Sequence, residues 1–230
     1  MSLILSIESS TSICSVAIAK DGEVIALCES AQGRDHARLV ASFTDELFKE
    51  CGIAPSQLAA VAVSKGPGSY TGLRIGVSFA KGLCYGLNIP LIGVSTLEAL
   101  VEMARKRLEQ CGVDENTKLC PMIDARRMEV YTQLFDASGI AISPIEAKVI
   151  DEESFTELRS DGGLIIFGDG AAKCAESLEW ATLLEVAPSA SGVASIAQRA
   201  LDAQQFEDVA YFEPLYLKEA VVTKSNKKYF

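Results

Sequence analysis

Histidine is almost missing from this chain: His36 is the only one in 230 residues. No pair of imidazoles exists to hold a metal, and a Ser-His-Asp or Cys-His relay would have to rest on that one ring. His36 sits among charged residues in Gly33-Arg34-Asp35-His36-Ala37-Arg38 at a helix start, where an exposed or capping role is expected. Long apolar runs are also lacking, and Met1-Ser2-Leu3 leads straight into an apolar alternation without a basic leader, so neither a membrane span nor secretion is expected. Cys-x-x-Cys pairs are absent. The seven cysteines (Cys14, Cys28, Cys51, Cys84, Cys111, Cys120 and Cys174) are odd in number and scattered, which excludes a disulfide framework and reads as small core residues in a reducing cytoplasm. Positive charge is in deficit as well. A net charge of −10 opposes non-specific attraction to a phosphate backbone, so any service to nucleic acid would leave most of the gripping to another subunit.

What is present is apolar residues, at 49%, over a length that suits one large domain or two small ones. The most informative stretch is Ser64-Lys65-Gly66-Pro67-Gly68-Ser69-Tyr70-Thr71-Gly72-Leu73-Arg74-Ile75-Gly76, between a strand-like and a helix-like run. Glycines there let backbone N–H groups approach a ligand, and a helix N-terminus favours an anion. Gly-Lys-Ser/Thr is missing and the Rossmann spacing does not fit, so a phosphate cradle and a plain strand-to-helix turn both remain open.

Periodicity predicts strands over Leu3–Ile7, Ile13–Ala19 and Val24–Glu29, then a helix from Arg34 to Cys51 stopped by Gly52. Ala60–Val63 reads as a buried strand, Tyr70–Leu87 as a helix, Leu91–Val94 as a strand, and Ser95 or Thr96 caps a helix running to about Gln110. The first half is β-β-β-α-β-α-β-α, and Gly112–Lys118 is the expected hinge.

The second half repeats that order. Leu119–Asp124 ends in an acid, as Leu3–Glu8 does; Glu129–Phe135 and Ile140–Val149 match the hairpin; Asp151–Arg159 matches the first helix, shortened. Leu164–Phe167 runs into Gly168-Asp169-Gly170, Ala171–Leu178 is helical, and Leu183–Val186 with a helix over about Ser191–Ala203 completes it. Two such halves describe the duplicated α/β actin, Hsp70 and sugar-kinase (ASKHA) architecture, here with a reduced second lobe: residues 1–111, then 112–217, then a basic tail at 218–230. That fold binds nucleotide between its lobes, with the first hairpin turns as phosphate clamps. Candidates for an inherited phosphate site are Glu8, Ser9, Ser10, Thr11, Gly66, Gly68, Ser69, Asp124, Gly168, Asp169 and Gly170. The acids Glu8 and Asp124 read either as magnesium positioners or as turn caps, and Asp169 as an adenosine-side turn or a strand end. Weak ATP or ADP binding is the expectation, with no other cofactor and no metal.

Five segments carry a resemblance: Ile7–Ser12, Lys65–Gly76, Ile92–Leu97, Ile123–Tyr131 and Pro214–Lys218. In order and over nearly the whole chain they resemble the bacterial TsaB (YeaZ) family. That resemblance implies a non-catalytic cytoplasmic partner of the transferase TsaD, working with the ATPase TsaE in threonylcarbamoylation of the adenosine beside the anticodon in tRNAs reading codons that begin with A. It implies that tRNA is met only through the complex and that no membrane is involved. In TsaD a His-x-x-x-His helix holds a metal; the corresponding positions here are Thr96 and Leu100, neither of which ligates like imidazole. A small ATPase or sugar kinase of the same fold is the alternative, and a metallopeptidase (glycoprotease) a third reading.

The family resemblance further implies a two-helix face, formed by the helix near Ala37–Cys51 and the one from Tyr70, that pairs with TsaD or with a second copy in a homodimer. Leu39, Phe43, Leu47, Leu73, Val77 and Phe79 are candidate contacts, Arg74 a rim anchor, and Gly72, Gly76, Gly82 and Gly86 a smooth strip. Helical spacing leaves each of these open between interface and core. The tail lysines Lys224, Lys227 and Lys228 read as a solvated end or a strip meeting RNA or a partner.

Overall fold

In the computed structural model, residues 1–31, 35–109, 114–160 and 163–218 are described. Of the predicted hinge Gly112–Lys118 only Gly112 and Val113 lie outside them, Lys118 already starting the second sheet; the tail beyond Lys218, with Lys224, Lys227 and Lys228, lies outside too, as do Gly33, Arg34, Gln110 and Cys111. Strands β1 (Leu3–Glu8), β2 (Cys14–Lys20) and β3 (Glu23–Ser30) form an antiparallel meander, and β4 (Ala60–Gly66) and β5 (Leu91–Ser95) add in parallel to give the order β3-β2-β1-β4-β5. Helices α1 (His36–Cys51), α2 (Tyr70–Leu87) and α3 (Thr96–Leu108) connect them. Local chemistry fixes their ends. Gly52 (φ 64) and Asn88 (φ 53) adopt the left-handed conformation that closes α1 and α2, and the Ser69 and Ser95 hydroxyls accept from the amides of Gly72 and Glu98 at 3.3 and 3.5 Å.

The second sheet runs β10-β9-β6-β7-β8, from β6 (Lys118–Asp124), β7 (Glu129–Thr132), β8 (Glu146–Val149), β9 (Leu164–Phe167) and β10 (Thr182–Leu184), followed by α4 (Ala190–Asp202). Matching β6 to β1, β7 to β2 and β9 to β4 reproduces the first sheet's order and directions. The duplication is real. Its connections are shorter than expected: the predicted helices at Asp151–Arg159 and Ala171–Leu178 are single 3-10 turns, Thr156–Leu158 and Ala172–Cys174. Ser154 donates to Asp151 at 2.8 Å and Phe155 has φ 60, two local features that compete with helix. Ser143-Pro144 likewise interrupts the predicted strand Ile140–Val149, leaving only Glu146–Val149 regular.

The last helices of the two halves are exchanged. Val193, Ala197 and Ala200 of α4, from the second half, pack with Ile4, Ala60, Ala62, Ile92 and Val94 of the first sheet. Leu97, Leu100, Val101 and Ala104 of α3, from the first half, pack with Leu119, Ile123, Phe135 and Phe167 around the second sheet. Gly192 lets α4 approach the Ala99 carbonyl of α3, where any Cβ would overlap it. After α4 the chain crosses back over the first sheet: the Glu207 amide donates to the Leu91 carbonyl at 2.9 Å, Leu215 to Lys65 at 2.7 Å, and Lys81 Nζ reaches the carbonyls of Ala210 and Phe212 at 3.1 and 2.9 Å. No helix among the described residues is long and apolar enough to cross a membrane.

Candidate functional site

The carboxyl ends of β1, β4 and β6 and the turns that follow them converge between the sheets. Glu8 ends β1 and is fully buried. Its Oε1 accepts from the Ser10 amide at 2.6 Å and the Ser64 hydroxyl at 3.1 Å, while Oε2 and the neighbouring Ser10 Oγ have no partner among the described residues. Desolvation pushes the Glu8 carboxyl above its ordinary value, against the pull of those hydrogen bonds, and the carboxylate of Asp169 adds to the push.

Asp169 Oδ1 accepts from the Asp124 amide at 3.0 Å, and Asp124 accepts from the Arg126 amide at 2.9 Å and pairs with Lys173. Although desolvation pushes it upward, the Lys173 ammonium holds Asp124 below the usual carboxylate range. Gly168 (φ 105) lies against the Met122 carbonyl and Gly170 against Asp124. The Gly168-Asp169-Gly170 turn thus clasps the end of β6. Among the described residues no three His, Cys, Asp or Glu side chains are grouped as metal ligands.

Ser9, Ser10 and Thr11, the first hairpin turn, are buried beneath the glycine loop. The Ser69 amide donates to the Ser10 carbonyl at 2.6 Å and the Ser9 hydroxyl to the Gly72 carbonyl at 2.9 Å. A Cβ on Gly68 would overlap Ser10, and one on Gly72 or Gly76 would overlap Ser9. Three amides of the turn are already engaged: Ser9 with Ser64 at 3.4 Å, Ser10 with Glu8, and Ile13 with the Thr11 hydroxyl at 3.2 Å. Protein backbone therefore packs closely on this turn and loop, leaving no room for side chains at 68, 72 and 76. Gly66 (φ 110) serves another close contact, since a Cβ there would lie 2.7 Å from the Leu215 carbonyl.

The expected partner face divides in two. Leu47, Leu73 and Val77 are core residues at 0%, 0% and 3% exposure, and Gly76 is buried on Ser9. They are corrected from contact candidates to packing residues, because that side of each helix turns onto β1, β2 and β4. Leu39, Phe43 and Phe79 are half-buried, and Arg74 is exposed. The smooth strip also splits: Gly72 and Gly76 face inward, whereas Gly82 and Gly86 are open to solvent with nothing near an added Cβ.

Between α1 and α2 lies an open groove of about 590 Å³ lined by Ala37, Tyr70, Thr71, Arg74, Ile75, Ser78 and Phe79. Arg74 lies over the Tyr70 ring at 4.8 Å, and the Tyr216 ring packs on Tyr70 at 4.6 Å between centroids, tilted by 37°. Sequence reasoning missed Tyr70, Ser78 and Tyr216; the Arg74–Tyr70 spacing of four on a helix was the available signal. His36 is buried rather than exposed, and its Nε2 donates to the Thr11 carbonyl at 3.0 Å, tying the start of α1 to the first turn.

A family model described as TsaD, tRNA N6-adenosine threonylcarbamoyltransferase, matches residues 27–227. The chain is 36% identical over 132 residues, 57% of its own length, to the tRNA threonylcarbamoyladenosine biosynthesis protein TsaB of Bacillus subtilis, and spans 54% of that protein. With the TsaB of Buchnera aphidicola subsp. Schizaphis graminum it shares 33% identity over 153 residues, covering 64% of this chain and 72% of the other. The chain spans about half the length of the first three TsaB relatives it matches. Among solved structures, YeaZ from Pseudomonas aeruginosa superposes with a TM-score of 0.77 at 25% identity, over 94% of this chain and 100% of that one. Sequence, family model and fold agree: the chain belongs to the family that this model describes, and within it to the TsaB (YeaZ) members.

Proposed function

We propose that this chain is a non-catalytic assembly subunit for threonylcarbamoylation of the adenosine beside the anticodon of tRNA, acting by pairing with a TsaD transferase and serving with TsaE. One observation carries the reading, the division of labour between the two sides of α2. Its inner side, through Gly72 and Gly76, seals the turn where this fold would hold phosphate. Its outer side, with Tyr70, Arg74, Ser78 and Phe79, lines an open groove with α1. Aromatic and arginine side chains around a half-apolar groove are the composition of protein interfaces. A single histidine supports placing the metal chemistry in the partner. In isolation the same face serves a homodimer.

Reconstitution tests this. The transfer reaction with TsaD and TsaE should depend on this chain, the chain alone should transfer nothing, and titration with TsaD should give a complex of defined mass. A reaction that runs equally well without the chain overturns the reading. The alternative of a small ATPase or sugar kinase predicts robust ATP–magnesium binding with turnover by the chain alone, and the sealed first turn speaks against it.

A further inference from the structure

We propose that the turn between β6 and β7 grips the phosphate backbone of RNA through Arg126 and Arg127. Both residues hold left-handed backbone, with φ 73 and φ 52. Glycine, asparagine and aspartate enter that region readily, and arginine does not. The closure of the turn asks nothing of the two side chains: the Ala125 amide donates to Glu129 at 3.1 Å, Glu129 to Arg126 at 3.2 Å, and Arg126 to Asp124 Oδ1 at 2.9 Å. Both arginines are exposed, and among the described residues neither guanidinium makes a hydrogen bond or an ion pair. Among the described residues the amides of Arg127 and Met128 likewise have no backbone or side-chain acceptor. The turn thus offers two cations and two N–H groups to solvent.

Arg126 adds to Lys173 in the field at Asp124, but two of the three nearby carboxylates have lysines of their own and offset the arginines only in part. Asp124 pairs with Lys173, and Glu129 with Lys218. Asp169 is the third, and it accepts from the Asp124 amide. Guanidinium groups and free amides match phosphate oxygens in number and geometry. A nucleotide held between lobes needs both first hairpin turns, and the one at Ser9–Thr11 is sealed. What remains is one-sided and open, which suits a phosphate presented along an extended polymer. The net charge of −10 weakens long-range attraction, so the grip works at contact, and a partner that brings the RNA close strengthens it without being required. RNA as the polymer rests on the function proposed above.

The test uses the full chain at low ionic strength, titrated with a short single-stranded RNA, pyrophosphate, ADP and a poly-glutamate peptide, and read by anisotropy and by amide shifts. RNA should bind and move the Arg127 and Met128 amides, and Arg126→Gln with Arg127→Gln should weaken it by about tenfold or more. Arg126→Asn with Arg127→Gly should lose RNA equally while raising the melting temperature, because it relieves the left-handed backbone. Asp169→Asn should tighten binding. Unchanged affinity in the glutamine pair, or no RNA binding by the wild type, overturns the proposal. So does pyrophosphate, ADP or poly-glutamate binding as tightly as RNA, which assigns the turn to a small phosphate or an acidic protein. Complex mass with TsaD is measured separately, so failure of the pairing is distinguishable from failure of the grip.

Discussion

Ser9 Oγ donates to the Gly72 carbonyl at 2.9 Å, fastening the chain's first turn to the first turn of α2. The two backbones meet so closely that residue 72 has no room for a side chain. Gly72→Ala should therefore cost about 1–3 kcal/mol through overpacking, whereas Gly82→Ala, in open helix, should gain up to about 1 kcal/mol. Urea unfolding of both variants checks the contrast; equal effects would mean that Gly72 is not a contact glycine.

Partner pairing should follow exposure. Arg74→Glu and Phe79→Asp should weaken association with TsaD or with a second copy while leaving the melting temperature nearly unchanged. Leu73→Ala and Leu47→Ala, in the core, should instead cost about 2–5 kcal/mol of stability. Sedimentation together with thermal unfolding separates the two classes.

Glu8 gives a pH signature. Its carboxyl titrates above the ordinary value of 4.5, so the folded state holds that proton more tightly than the unfolded chain does. The stability this contributes is fully present below the unfolded value and is lost as pH rises through the folded one. Glu8→Gln, which cannot ionise, should show a flatter profile and gain on the wild type as pH rises from 4.5. Urea midpoints measured across that range check it, and parallel profiles would place a charged Glu8 in the fold.

Phe212 anchors the chain that returns after α4, at 9% exposure among first-sheet residues. Phe212→Ala should cost about 3 kcal/mol, and Lys81→Met should raise amide exchange at Phe212 and Leu215, whose neighbourhood that ammonium holds. Unchanged exchange would mean that Lys81 does not secure the return.

Much of the first half was legible because its signals are local. Apolar alternation marked β1 and β2, Gly52 stopped its helix, and Ser95 or Thr96 began the last one; the Ser69 cap was not read. The second half was less so, since Ser154 and Phe155 convert a weak helical pattern into a turn by contacts that spacing does not reveal. At the site, glycine spacing revealed that something approaches Gly68, Gly72 and Gly76, but not that it is Ser9 and Ser10 rather than a ligand. Leu73 and Phe79 share helix α2 and an apolar character; only the fold tells which one turns onto the sheet. Arg126 and Arg127 carried a signal that went unread, two arginines in a tight hairpin where glycine or asparagine is usual.

The exchange of α3 and α4 bears on how the chain is made. During synthesis the first sheet emerges complete by Ser95, yet the helix that covers Ile4, Ala62 and Ile92 arrives only with Ala190–Asp202. For roughly the time of a hundred peptide bonds, on the order of ten seconds, that apolar sheet face has only Ala99 of α3 from its cluster to cover it. A chain cut before Ala190 should therefore aggregate where the full chain does not, and adding the missing helix as a peptide should suppress it.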